Sequence, residues 1–295
     1  MPDPDTTLEP ALDAAVAALH TPNAGTVRYY HDDSGTGRPL LLLHSINAAP
    51  SAMEMQPLFQ HFRGRRPVFA PDLPGFGLSD RGDRDYTPQL YAETIVHLLR
   101  EVVGQPADIV ALSLTAEFAA RAAAEVPELC HSLTVISPTG LGDRTPPGPK
   151  AQERLRRFFS VPLLASGLYR TLTTRASIRF FLGKAFAGQT PEELIDYASA
   201  TTKQPGARYA PFSFLSMRLF SADARTTLYQ TLPVPGLVLY DTDPNVGFEK
   251  LPALLNSAPQ WRAQRIAPTC GLPHWEQTAA TVDALETFWQ DIDGN

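Results

Sequence analysis

Four consecutive leucines, Leu40 to Leu43, follow a glycine-containing turn at 32–38 and precede a polar segment that starts at His44. So short and continuous an apolar run suits a strand buried on both faces. Such a strand needs helices above and below it, which favours a layered α/β arrangement. Further β-prone runs at 26–30, 67–70, 108–112, 133–136, 237–240 and 261–266 alternate with helical patterns at 91–103, 116–124 and 280–290. The expected fold class is α/β: a mostly parallel sheet covered by helices on both faces. Near the start, Leu12, Val16 and Leu19 recur at helical spacing, which predicts a short helix over 8–20 ended by Pro22.

Residues 141–232 break this rhythm. They hold helical blocks at 153–159, 178–186 and 192–200, many aromatic residues and no convincing buried strand. Proline clusters at Pro146, Pro147 and Pro149 and at Pro233 and Pro235 mark the edges. The expected organisation is one core, 1–140 with 233–295, carrying a helical insertion, 141–232, over one end of the sheet.

Lys and Arg number 25 against 31 Asp and Glu, a net charge of −6. No basic face for nucleic acid or an anionic membrane is expected from that balance. The two cysteines, Cys130 and Cys270, are far apart, which argues against a disulfide scaffold or a cysteine zinc site. No glycine-rich phosphate loop and no metal-spaced His/Asp/Glu cluster is visible, so neither cofactor nor metal is expected. There is no run approaching the ~18–20 apolar residues of a membrane helix. Residues 1–10 carry Asp3, Asp5 and Glu9 with no Lys or Arg, so no secretory signal is read there and the cytoplasm is the default location.

The most informative chemistry lies in Ile109-Val110-Ala111-Leu112-Ser113-Leu114-Thr115-Ala116-Glu117. A strand runs into Ser113 and a helix leaves it. Such a turn lifts the serine above the sheet edge, and the helix start offers free N–H groups to developing negative charge. The usual signature is Gly-x-Ser-x-Gly. Here Ala111 and Thr115 flank the serine, and an ordinary helix-capping serine is the plain alternative.

Four further segments change that balance. Leu40-Leu41-Leu42-Leu43-His44-Ser45-Ile46 is similar to a strand and turn that supply an oxyanion donor. Asp72-Leu73-Pro74-Gly75-Phe76-Gly77-Leu78-Ser79-Asp80 closely resembles an Asp-x-Pro-Gly-x-Gly-x-Ser loop. Asp241-Thr242-Asp243-Pro244 and Pro273-His274-Trp275-Glu276-Gln277 resemble an acid turn and a histidine loop. In this order they resemble the α/β-hydrolase superfamily, capped branch, over about 26–140 and 233–290. The resemblance implies that Ser113 is the nucleophile, that Leu114 and Ile46 N–H form the oxyanion hole, and that Asp243, rather than Asp241, orients the histidine. It also implies a helical cap at 141–232. A serine nucleophile sets the chain apart from the aspartate-using dehalogenases and epoxide hydrolases. Ser45 replaces the family's usual glycine.

The superfamily usually ends in Gly-His-x-Pro-His-x-Glu, with the first histidine catalytic. Here the chain reads Cys270-Gly271-Leu272-Pro273-His274-Trp275-Glu276, so Gly271 takes that position. Three readings stay open: a re-shaped loop that makes His274 the base, a site without a base that does other chemistry, or loss of catalysis. The expectation carried forward is a serine hydrolase using Ser113, His274 and Asp243. It would act through an acyl-enzyme on an ester, thioester, lactone or C–C bond of a small, mainly apolar substrate. The alternatives are a lyase, cyclase or acyltransferase on the same scaffold, or an inactive ligand-binding relative. Some of the rings of Phe158, Phe159, Phe180, Phe181, Tyr209, Phe212 and Phe214 are expected to face Ser113 across a closed cavity.

Overall fold

The computed structural model describes residues 7–159 and 161–294, and the side chains of 162–165 lie outside that description. Eight strands form one sheet: β1 Ala15–Thr21, β2 Gly25–Asp32, β3 Leu40–Leu43, β4 Val68–Pro71, β5 Ala107–Leu112, β6 Cys130–Ile136, β7 Gly236–Tyr240 and β8 Trp261–Arg265. Their order is β1-β2-β4-β3-β5-β6-β7-β8. The β1–β2 and β2–β4 pairs are antiparallel and every other pair is parallel.

The four-leucine run explains the layering. Leu41 and Leu43 share one core with Ile109 and Ala111 of β5, beneath α2 (Pro88–His97) and α3 (Thr115–Glu125). Leu40 and Leu42 share the other with Val110 and Leu112, beneath α1 (Gln56–Phe62) and α11 (Thr278–Asp293). Successive strand residues point to opposite faces, so a run without polar residues fits only a sheet covered on both. The α/β-hydrolase fold follows from this order of elements.

The segment between β6 and β7 contains helices α4 (Pro149–Phe159), α5 (Pro162–Leu172), α6 (Arg175–Gly183), α7 (Glu192–Thr201) and α8 (Tyr209–Leu215). After β7 come α9 (Leu251–Ser257) and the single turn α10 (Pro273–Glu276).

One expectation is corrected. The stretch expected as a helix over 8–20 is partly strand β1, because Ala15–Thr21 pairs residue for residue with Gly25–His31. The outer edge of β2 thereby gains partners for its backbone N–H and C=O groups, a demand that outweighs local helical spacing. Of the three spaced residues, Leu12 and Leu19 are buried, while Val16 is exposed.

Candidate active site

The Asp72 loop, which carried the sequence resemblance, is a locked turn. Asp72 is fully buried and accepts from Ala52 N and Leu78 N, both at 2.8 Å. Gly77 has φ of +49°, and a β-carbon there would lie 1.9 Å from Asp72 Cγ, so only glycine fits. Beside it, His44 Nε2 accepts from Leu73 N at 2.9 Å. Its Nδ1–H therefore donates to Ser45 O at 2.6 Å. Burial lowers this imidazole to about 4, so it stays neutral.

The turn after β3 is braced from two sides. Thr115 Oγ1 donates to His44 O at 2.6 Å, which gives a reason for a threonine where a glycine is usual. Glu54, just ahead of α1, accepts from Ser45 N (2.8 Å), Ser45 Oγ (3.1 Å) and Asn47 Nδ2 (3.0 Å). Ser45 thus replaces the usual glycine with a hydroxyl that reaches Glu54. Burial raises the Glu54 carboxyl above its ordinary range.

Ser113 stands at the end of β5 with φ of +56°, a left-handed conformation costly for any residue with a β-carbon. Its N–H donates to Ile136 O at 2.8 Å. Among the described residues Ser113 Oγ has no hydrogen-bond partner, and neither do Ile46 N–H and Leu114 N–H. Ser113, Ile46 and Leu114 line one cavity of about 420 Å³, together with Asp243 and Gly271. Asp243 Oδ1 accepts from Asn245 N (2.7 Å) and Val246 N (3.1 Å), while its Oδ2 lies 2.7 Å from where a β-carbon on Gly271 would stand. Desolvation raises the Asp243 carboxyl. Asp241, the rival acid, instead holds Arg265 Nε at 2.6 Å and Thr269 N at 2.8 Å.

His274 is elsewhere, which corrects the expectation that it reaches Ser113. It is fully buried and does not line the cavity. Its Nε2 donates to Glu54 O at 2.7 Å, and Trp275 Nε1 donates to the same carbonyl at 2.7 Å. Its Nδ1 has no partner among the described residues. Burial lowers the ring to about 4, so it is a neutral brace for the Glu54 segment. The physical reason is the loop's path: Pro273 starts α10 directly after Gly271-Leu272, which turns residue 274 inward and leaves residue 271 at the cavity. No histidine lines the cavity among the described residues.

The aromatic expectation fares unevenly. Phe214 lines the cavity, whereas Phe159 and Phe212 stack on one another with centroids 5.0 Å apart in a separate cluster. Phe158, Phe180 and Phe181 are exposed. Three functional candidates escaped sequence reasoning: Glu54, Asn47 and Glu117. Glu117 is buried on α3, lines the cavity, accepts from Ser221 N at 2.8 Å and from Thr139 Oγ1, and is raised by burial. The available signal was a single acid inside each of two apolar stretches, Ala52-Met53-Glu54-Met55 and Ala116-Glu117-Phe118. Such acids are rarely buried without a specific partner.

Among the described residues, no group of three or more His, Cys, Asp or Glu side chains is placed to hold a metal ion, and no helix is long and apolar enough to cross a membrane.

A model of the Alpha/beta hydrolase family matches residues 40–284. A 2-(acetamidomethylene)succinate hydrolase of Mesorhizobium japonicum is 33% identical over 104 residues, 35% of this chain and 37% of that protein. An esterase of Mycobacterium tuberculosis is 40% identical over 74 residues, 25% of each. The matched stretches thus span well under half the length of these curated relatives. Across the whole fold, an esterase structure from Thermogutta terrifontis superposes with a TM-score of 0.72 at 19% identity, covering 95% of this chain and 99% of that one.

Proposed function

This chain belongs to the alpha/beta hydrolase family, and on that footing we propose that Ser113 is the nucleophile of an acyl-transfer site that opens an ester, thioester, lactone or activated C–C bond. One observation carries this reading. Ser113 is held at a strained φ of +56° with a free hydroxyl, beside two unpartnered N–H groups and at the mouth of a helix. Backbone strain of this size persists only where the surroundings impose it, and it gathers at working sites. In this mechanism Oγ attacks the acyl carbon, and Ile46 N–H and Leu114 N–H take the developing oxyanion. Hydrogen bonds donated by Ser45 N–H and Oγ to Glu54 keep the Ile46 turn rigid while charge develops. Residues 141–232 act as the cap: its Phe214, Met217 and Phe220 give apolar walls, and its Ser221 forms a polar stripe with Glu117 of α3 below. The substrate is therefore small and only partly apolar. The two relatives named above, a hydrolase and an esterase, support hydrolysis as the outcome.

His274 has no place in this mechanism, so the site contains a nucleophile, an oxyanion hole and an acid without a built-in histidine. That is the observation favouring the second reading, a relative that binds ligands or does non-hydrolytic chemistry. Restoring the base separates the two. Gly271→His should gain turnover of p-nitrophenyl butyrate and label with a fluorophosphonate, and adding Ser113→Ala should abolish both. A folded Gly271→His protein that neither labels nor turns over the ester sinks the serine reading.

A further inference from the structure

We infer that the substrate brings its own base: its acyl portion carries an imidazole-type ring that sits beside Gly271, between Ser113 Oγ and Asp243 Oδ2. The inference rests on Ser113 being the nucleophile and adds the chemical class of substrate to that reading.

Two polar atoms on half-buried residues that line the cavity have no hydrogen-bond partner among the described residues. Ser113 Oγ has no acceptor for its proton among the described residues. Asp243 spends Oδ1 on two backbone N–H groups and leaves Oδ2 with no described donor, turned towards Gly271. Gly271 lies at the cavity wall and adds no side chain between them. A hydroxyl that must lose a proton and a carboxylate oxygen that can hold an N–H define a slot for one group with both functions. That group needs a lone pair on one side and an N–H on the other.

The chain's own alternatives do not fill this role. The Glu54 oxygens already take three donors, those of Glu117 take Thr139 Oγ1 and Ser221 N, those of Asp223 take Thr226 N and Oγ1, and Ser113 Oγ is a donor to none of them. Lys250 and Arg144 line the cavity, but an ammonium or guanidinium has no lone pair to offer. Base strength narrows the class further. An alkylamine, with a pKa of about 10, is protonated near neutrality and accepts nothing, whereas an imidazole at ~6.5 is largely free to act. The ring belongs to the acyl portion, because a ring on the leaving group would depart before the second half-reaction.

The step balances without an added reactant. The Oγ–acyl bond forms as the serine proton passes to the ring nitrogen, and the ring's N–H is held by Asp243 Oδ2. The bond from the acyl carbon to the leaving oxygen breaks as that oxygen takes the proton. Water then attacks the acyl-enzyme, gives its proton to the same nitrogen, and Ser113 recovers it as the acid departs.

Free imidazole serves as the probe. With p-nitrophenyl butyrate and wild-type protein, added imidazole should raise turnover saturably, by about tenfold or more above the imidazole-only rate, as a restored general base would. Fluorophosphonate labelling of Ser113 should accelerate in parallel. N-methylimidazole has no N–H for Asp243 and should give a markedly smaller rise, and Asp243→Asn should remove the difference between the two bases. Gly271→His should turn over the ester unaided and gain nothing from imidazole. The inference is overturned if wild type gains nothing from imidazole, if N-methylimidazole matches imidazole, or if wild type alone already equals Gly271→His. Activity in Gly271→His with no imidazole effect in wild type overturns only the substrate class and leaves the serine reading standing. If Gly271→His does not fold, wild-type labelling with and without imidazole still decides.

Discussion

Two regions meet at Ser113, and they are built in opposite ways. On the side of the Ser45–Ile46 turn the side chains brace one another: Thr115 holds the His44 carbonyl, Glu54 takes Ser45 and Asn47, and His274 with Trp275 holds the Glu54 carbonyl, while Ile46 N–H stays unpartnered among the described residues. On the acid side Asp243 Oδ2 faces Gly271 with no described donor, and the strand end offers a serine hydroxyl with no acceptor. Asp243 and Ser113 are only partly buried and line the cavity, so these two atoms stay open to solvent or to a bound ligand, unlike the braced groups opposite. The two sides also separate Gly271, at the cavity, from His274, which is buried away from it. Gly271 belongs to the open side, while His274 holds the Glu54 carbonyl on the braced side.

The braced side should break hardest. Glu54→Ala leaves Ser45 N–H, Ser45 Oγ and the Asn47 amide without their acceptor in a buried setting. The expected loss is about 3 kcal/mol or more, read as a shift in the urea midpoint. A loss near zero would mean that the Ser45 turn holds its shape without the carboxyl and that the two sides are not so different.

His274 gives a pH test of the same side. Its folded-state value of about 4 lies below the ordinary ~6.5, so between those limits the unfolded chain binds more protons than the folded one. Stability is therefore complete above ~6.5 and falls as pH drops towards 4, by up to about 3 kcal/mol for this ring. His44 adds a fall of the same sign. Gln at 274 keeps an N–H for the Glu54 carbonyl and does not titrate. His274→Gln should thus melt slightly below wild type at pH 7.5 and show a visibly shallower decline between pH 6.5 and 4. Parallel curves for the two proteins would place the ring in a solvated setting, contrary to its burial.

Much of this architecture is legible in the amino-acid sequence itself. Leu40–Leu43 announced a doubly covered strand, and Ser113 between a strand and an alanine-rich helix announced the turn. The Asp72 loop was legible because Gly77 has to be glycine against a fixed carboxylate. What could not be read were contacts set by chain path. The fate of His274 depended on whether α10 starts at Pro273, a shift of a few residues in a loop. Glu54 was invisible because its partners, Ser45 and Asn47, belong to a different turn and its carbonyl is held by residues some 220 positions away. Strand β1 was missed because an edge strand has one free side and carries little hydrophobic pattern of its own.

The open side should yield least. Gly271 has no left-handed backbone to protect, so alanine is allowed there on conformational grounds. Its β-carbon would stand 2.7 Å from Asp243 Oδ2, 3.4 Å from Asp243 Cγ and 3.5 Å from Ala185 Cβ. Only the carboxylate oxygen must move, and it is the unheld one. Oδ2 has no hydrogen bond to lose among the described residues, so a small shift of it suffices and Gly271→Ala should cost below about 1 kcal/mol in the urea midpoint. The shift moves Oδ2 from its place beside Gly271, and the alanine methyl takes part of the room next to it, so any acceleration of ester turnover by imidazole should weaken while the protein stays folded. A cost comparable to that of Glu54→Ala would mean that Asp243 is as firmly seated as Glu54. The contrast between a braced and an open side of Ser113 would then be lost.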